Sequence, residues 1–356
     1  MMQYLKKNPM LVGYESARNA LIFIAMSGCL AAAFAQTQVP VAAPVPTGDG
    51  AISVNEWLVR MHEASMKKRS YIGTLVQSSR DGMSSARIWH ACDGASQIER
   101  IESLTGAPRS SIRKDDKLVT FMPETKLVRM EKREGLGAGA SFSDLLKPGA
   151  NQIPDFYTVK SLGSERIAGL DADVVVLNPR DGLRYGYRIW TERKSALVLK
   201  LQTLDASGTI VEQAAFSELQ LDAPVKADKL KSMMKPAEGW RVEQADVVKT
   251  TASAEGWNLK TPVPGFKSVS CHKRGSAQSG LVSGDGTVQW VFSDGLATVS
   301  LFLEAFDKTR HTQEGLASAG ATHSLFRRMN EHFLTAVGEV PPQTLRNFAA
   351  ALERKK

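Results

Sequence analysis

Cysteine is scarce: Cys29, Cys92 and Cys271 are the only three in 356 residues. That excludes a small scaffold stapled by disulfides. No collagen-like or solenoid period runs through the chain, and 43% hydrophobic residues is too many for a disordered one. Catalytic signatures are missing as well. No G-x-S-x-G elbow occurs, and Gly135–Gly139 (GLGAG) lacks both the last glycine of a dinucleotide loop and the Lys-Ser/Thr of a phosphate loop, so it reads as a flexible break. His62-Glu63 opens like a zinc helix, but position 66 is Met where the second ligand would stand. Asp171 and Asp173 are too few for a calcium loop. His90 and Cys92 share one face of a strand without a second ligand pair, which favours a structural role. Carboxylates are spread evenly and no acid/base pair stands out. The expectation is a protein with no cofactor, no metal and no enzymatic activity.

No block of like charge is present either. The formal net charge is +8, but its parts differ. Residues 1–35 carry +2, residues 36–50 carry −1, residues 51–222 carry +2, and residues 223–356 carry +5 from 18 basic and 13 acidic side chains. This is a local bias toward the C-terminal third, which argues against nucleic acid as a partner.

The N-terminus has the layout of a targeting segment. Lys6, Lys7 and Arg18 precede the apolar run Ala20–Met26, and Ala33-Phe-Ala35 closes it. That pattern reads as a secretory signal over 1–35, cleaved after Ala35. The run is short for a membrane span of about 20 residues and is diluted by Ser27 and Gly28. Met26–Cys29 offers a lipobox-like alternative with lipidation at Cys29, although Leu30–Phe34 is unusual after a lipidated cysteine. Residues 36–50 form a Pro-rich, extended leader. Export permits a disulfide, so Cys92 and Cys271 are either two free thiols or one inter-domain bridge.

Length predicts two domains. Ser53–Glu56 is a capping box, and Val54, Trp57, Leu58 and Met61 repeat at helical spacing behind it. From Tyr71 the period changes to two. Tyr71–Val76, Ala86–Ala91, Ser96–Glu102, Lys117–Met122 and Lys126–Met130 read as a meander, followed by a short helix at Ser141–Leu146. Tyr157–Leu162, Asp173–Leu177, Tyr185–Trp190, Ala196–Leu201 and Thr209–Phe216 continue the sheet, turned at 79–82, 179–182 and 205–208. Roughly ten antiparallel strands and two helices over 51–222 imply a strongly curved, unclosed barrel. Residues 223–256 are Pro-punctuated and weakly patterned, and read as a linker. Residues 257–356 read as a small α+β domain: a hairpin at Val288–Leu303 turned on Ser293-Asp-Gly295, a second pair at Thr322–Arg328 and His332–Val337, and a last helix opened by Pro341-Pro342. The fold class is mostly β with α.

A curved sheet can enclose an apolar groove. Leu75, Ile88, Ile98, Phe121, Val128, Val175, Ile189 and Leu199 are its candidate lining, with ordinary core packing as the competing reading. In the second domain Trp290, Phe292, Leu296, Phe302 and Phe326 are candidate partner contacts, with the same competing reading.

Five segments carry a resemblance. Arg180–Trp190 (RDGLRYGYRIW), Leu204–Glu212 (LDASGTIVE), Val263–Val269 (VPGFKSV), Phe292–Leu296 (FSDGL) and Val337–Thr344 (VGEVPPQT) resemble, in that order, the RseB/MucB family of periplasmic regulators of the envelope-stress sigma factor. The resemblance covers about 51–352. It departs from the family in the Pro-rich leader, the basic C-terminal end and the two cysteines. It implies a LolA-like half-barrel followed by a smaller domain that binds the periplasmic segment of a membrane anti-sigma factor (RseA/MucA-like) and shields it from proteolysis. It further implies a non-enzymatic, self-associating protein released by lipid, lipoprotein or lipopolysaccharide. A periplasmic lipid or lipoprotein carrier using the same groove is the alternative.

Overall fold

The structure is a computed structural model that describes residues 69–93, 96–132, 153–244, 247–274 and 286–355. The expected signal and leader (1–50), the helix begun by Ser53 and the helix at Ser141–Leu146 lie outside the described residues.

Among the described residues the first sheet has twelve strands. At its centre β1 (Tyr71–Ser79) pairs with β2 (Gly82–Asp93) through the turn at 79–82. One wing continues through β3 (Ser96–Ser103), β4 (Ser110–Lys114), β5 (Lys117–Met122) and β6 (Leu127–Lys132). The other wing comprises β7 (Tyr157–Ile167), β8 (Leu170–Pro179), β9 (Gly186–Glu192), β10 (Val198–Leu204) and β11 (Ile210–Leu221), and β11 closes it against β1. β12 (Arg241–Gln244) adds to β6 in parallel, so the order runs β12-β6-β5-β4-β3-β2-β1-β11-β10-β9-β8-β7. The two outermost strands, β12 and β7, do not pair with each other, and the sheet stays open as expected. Register breaks at Thr74/Leu75 and at Ser161/Gly163 insert extra residues, a device that bends and twists a strand.

The second sheet has seven strands: β13 (Val247–Lys249), β15 (Lys267–Arg274), β16 (Val288–Ser293), β17 (Thr298–Ala305), β18 (Gly315–Ala319), β19 (Thr322–Met329) and β20 (His332–Gly338), in the order β13-β15-β16-β17-β20-β19-β18. A two-stranded ribbon of β14 (Trp257–Leu259) and β21 (Leu352–Arg354) stands beside it. Of the helices, α1 (Ile153–Phe156) and α2 (Ala227–Ser232) are short, and α3 (Pro342–Ala351) is the longest described. The Pro at its first position fits a helix start, where the missing N–H would be unpaired anyway. Leu345, Phe348 and Ala349 of α3 pack with Phe292, Val299, Leu301 and Leu334 into the core of the second sheet.

Residues 223–256, expected as a weakly patterned linker, carry short elements that pack on the sheets they join. Leu230 of α2, with Val225, Met233 and Met234, covers Ala91, Ile98 and Ile112 of the first sheet. β12 then joins that sheet and β13 joins the second. Elements of six, four and three residues are too short to display a hydrophobic period, which is why the segment looks unpatterned.

Candidate functional site

The eight candidate groove residues do not assemble along one surface. Leu75, Ile88 and Leu199 belong to a cluster with Tyr71, Trp190 and Phe216. Ile98 and Phe121 lie in the cluster under α2, while Val175 and Ile189 lie in a third with Tyr157, Tyr185 and Tyr187. Val128 is fully buried on β6. The register accounts for the division. Ile88 pairs with Ile101 whereas Ile98 pairs with Ala91, so Ile88 and Ile98 point to opposite faces. Apolar residues are buried on both faces of β8 and β9, and a period of two cannot say which apolar side is which.

The side chains that draw the molecule together lie between the two sheets. Arg184, in the loop joining β8 to β9, is wholly buried, as is its partner Asp294 in the β16–β17 turn; Nε donates to Oδ2 at 2.9 Å. Arg184 Nη1 donates to Asp181 at 2.6 Å and Nη2 to the Pro264 carbonyl at 2.8 Å, and the guanidinium stacks 4.3 Å from the Phe156 ring. Asp294 Oδ1 accepts from the backbone N–H of Leu296 and Ala297, and Oδ2 also accepts from the Tyr157 hydroxyl at 3.2 Å. Burial, with the neighbouring Tyr187 and Asp294, raises the Tyr157 hydroxyl well above its ordinary value, so it stays a neutral donor. Gly265 sits at φ +82, where a Cβ would stand 2.5 Å from Arg184 Nη2 and 2.9 Å from the Phe156 ring. Glycine is therefore required both for the backbone and for the close approach.

Around this centre the seam continues. Thr344 Oγ1 donates to the Leu183 carbonyl at 2.5 Å. Tyr185 meets His323 Nδ1 at 3.4 Å, and the same nitrogen lies 3.0 Å from the Val340 carbonyl. Asp81 and Glu212 accept the N–H groups of Gly320 and Ala321, at 2.7 and 3.0 Å, from the β18–β19 turn. The carboxylate of Asp294 is thus taken up by four donors, and what the seam does chemically is fix one sheet against the other. A fully desolvated ion pair of this kind gives geometry more than net stability.

Of the candidate partner contacts, Phe292 is buried in the second core, packed at a tilt against Trp290 (4.6 Å between centroids) and Phe348 (4.8 Å). Trp290 borders that core. Leu296 instead packs into the tyrosine cluster of the first sheet and so belongs to the seam. Phe302 and Phe326 flank Thr335 from either side, which places all three in one cross-strand row on the other face of β17, β20 and β19. Cys92 and Cys271 are free thiols, one on β2 of the first sheet and one on β15 of the second, so the inter-domain bridge is not formed. Among the described residues no group of His, Cys, Asp or Glu could hold a metal ion, and no helix is long and apolar enough to cross a membrane.

Sequence reasoning did not single out Arg184, Asp294, Tyr157 or Thr344, yet the signal was present. Arg184 lies in the Arg180–Trp190 segment, Pro264 and Gly265 in Val263–Val269, Asp294 in Phe292–Leu296, Thr344 in Val337–Thr344 and Glu212 in Leu204–Glu212. All five segments that carry the family resemblance converge on the seam.

The family model for the MucB/RseB N-terminal domain matches residues 53–234, and that for the MucB/RseB C-terminal domain matches 251–353. The chain belongs to the MucB/RseB family. Among relatives, the sigma factor AlgU regulatory protein MucB of Pseudomonas aeruginosa is 28% identical over 312 residues, covering 85% of this chain and 91% of that protein. The sigma-E factor regulatory protein RseB of Escherichia coli is 23% identical over 292 residues, 82% of this chain and 88% of that protein. Among solved structures, the MucA/MucB complex of P. aeruginosa matches with a TM-score of 0.61 at 25% identity, covering 85% of this chain and 98% of the matched one. MucB in complex with MucA(peri) matches with a TM-score of 0.60, also at 25% identity.

Proposed function

We propose that this MucB/RseB-family chain is an exported regulatory binding protein. It holds the periplasmic segment of a membrane anti-sigma factor, shields that segment from regulated proteolysis, and releases it when a lipid-bearing stress signal binds. One observation carries the reading: likeness to MucB structures with MucA bound runs through both sheets and 85% of this chain. A seam that holds the two sheets in one orientation supports a partner surface that draws on both. The protein acts by binding, and a lipid displaces the partner by preferring the partner-free form. The excess of positive charge after residue 222 favours an acidic or polar segment and speeds encounter.

The test uses the full chain with the periplasmic segment of the anti-sigma factor from the same organism. Calorimetry measures the affinity, and a timed digestion with the regulated protease measures shielding, each with and without lipopolysaccharide or an acylated lipopeptide. Binding that protects the segment, and that lipid weakens, is the expected result. No binding and no protection would sink the regulator reading. Binding that lipid leaves unchanged would sink the release step alone.

A further inference from the structure

A second group of interacting polar side chains lies apart from the seam. On β2, His90 and Cys92 point to one side, and the antiparallel registers bring Tyr71 of β1 and Glu99 of β3 directly opposite His90. Arg113 of β4 follows Glu99 in the same cross-strand row, and Gln97 stands opposite Cys92. The imidazole of His90 is held flat on the Tyr71 ring, 4.9 Å between centroids and 12° between planes. Its Nε2 lies 3.5 Å from Cys92 Sγ, and its Nδ1 lies 3.5 Å from Glu99 Oε2, which the Tyr71 hydroxyl also approaches at 3.4 Å. His90 and Glu99 are only 5% and 3% exposed, whereas Cys92 is partly open to solvent.

This geometry differs from a metal site, because the imidazole stands between the sulfur and the carboxylate instead of converging with them on a shared point. It is the order nucleophile, imidazole, orienting carboxylate, with reagent access only at the nucleophile's end. Burial alone would drive His90 toward neutrality, but its contacts with Cys92 and Glu99 outweigh this and raise it to about 9. These contacts favour the charged imidazole, whose Nδ1 lies on the Glu99 side and whose Nε2 lies on the sulfur side. Reactive cysteines lie beside such cations in partly exposed positions, and buried cysteines away from them are inert. Cys271 is of the second kind: burial, with the nearby Glu255, pushes its thiol up to about 11.

We infer that Cys92, with His90 and Glu99 behind it, is an oxidant-reactive thiol site whose substrate class is hydroperoxides. The thiol first releases its proton to solvent, and the Sγ thiolate attacks the distal peroxide oxygen. An S–O bond forms as the O–O bond breaks, sulfur gives up two electrons, and the departing oxygen takes the Nε2 proton of His90 to leave as water or an alcohol. The product is a sulfenic acid at position 92, and His90 is reprotonated from solvent. Because Cys271 is buried in the other sheet, no resolving thiol is at hand among the described residues, and the sulfenic acid waits for a second thiol.

The test treats the full chain with hydrogen peroxide in the presence of dimedone and reads each cysteine-bearing peptide by mass spectrometry. Cys92 is expected to react about tenfold or more faster in the native chain than in the same chain unfolded in urea, the reverse of what burial alone does. Cys271 is expected to be slower in the native chain. His90→Gln and Glu99→Gln variants that retain the wild-type circular dichroism are expected to lose most of the Cys92 advantage. Independently of those variants, NMR titration should place the His90 midpoint near 9 in the wild type and lower in Cys92→Ser. A native Cys92 no faster than the unfolded one, or a His90 midpoint indifferent to Cys92→Ser, overturns the assignment.

Discussion

Replacing Asp294 with alanine tests whether the seam depends on its buried ion pair. The substitution removes the carboxylate that meets Arg184 Nε, and Arg184 itself has no exposed side-chain surface. Asp181 remains, but it is 30% exposed and engages a different nitrogen. The same change frees the Leu296 and Ala297 N–H groups and the Tyr157 hydroxyl. Stranding a buried charge costs about 3–5 kcal/mol. Arg184→Met leaves Asp294 with three of its donors and is expected to cost less, about 2 kcal/mol. The double variant should then cost at least about 1 kcal/mol less than the two single losses added together, because the second substitution removes a charge already orphaned by the first. Urea denaturation followed by tryptophan fluorescence reads both sheets, since Trp190 lies in the first and Trp257 and Trp290 belong to the second half. The loss should be nearly the same at low and high salt, as a pair without solvent contact is little screened. A cost below about 1 kcal/mol for Asp294→Ala, or strict additivity in the double variant, would refute the reasoning.

Gly265→Ala forces a side chain into the left-handed region and against Arg184 and Phe156, and should lower the unfolding free energy by about 2 kcal/mol or more in calorimetry. His90 is raised above its unfolded value, so its contribution is complete below pH 6.5 and is lost as pH rises through about 9. Stability should therefore fall by up to about 3 kcal/mol between pH 6.5 and 9.5, and His90→Gln should flatten that limb in parallel urea titrations. His311 works at the opposite end: burial lowers it despite Glu304, so its contribution is present above pH 6.5 and declines as acid protonates the unfolded chain. Charge reversal at the exposed Lys267, Lys308 and Arg346 should slow association with the anti-sigma segment about threefold at low salt, with the effect fading at 0.5 M salt in surface plasmon resonance.

How far the sequence was legible depends on the kind of information each residue carries. The Ser293-Asp-Gly295 turn and its arms were readable because turn chemistry and a two-residue period are local. β4 (SSIRK) escaped notice, since five mostly polar residues resemble a loop until their neighbours supply hydrogen bonds. The role of Asp294 was invisible for another reason. Its backbone turn is local, but the Arg184 that occupies its second oxygen stands 110 residues away. The same holds for His90 and Cys92, whose spacing was plain while Glu99 became their neighbour only through the β2–β3 register. Alternation gave each strand two faces but did not say which apolar side of one strand joins which of the next, so Ile88 and Ile98, read as one lining, fall on opposite faces.

The chain passes from one sheet to the other at their margins. β12 is the outermost strand of the first sheet and β13 the outermost of the second, with only residues 245–246 between them. Force that draws the second sheet away along the backbone arrives at a strand of four residues, paired on one side only and buried chiefly at Glu243 near Arg129. Such a strand is held to the sheet by one neighbour, whereas each interior strand has two. The covalent joint between the halves therefore runs through a four-residue edge strand of the large sheet. Detaching that strand would lengthen the connection and leave the antiparallel pairings of the other eleven strands in place.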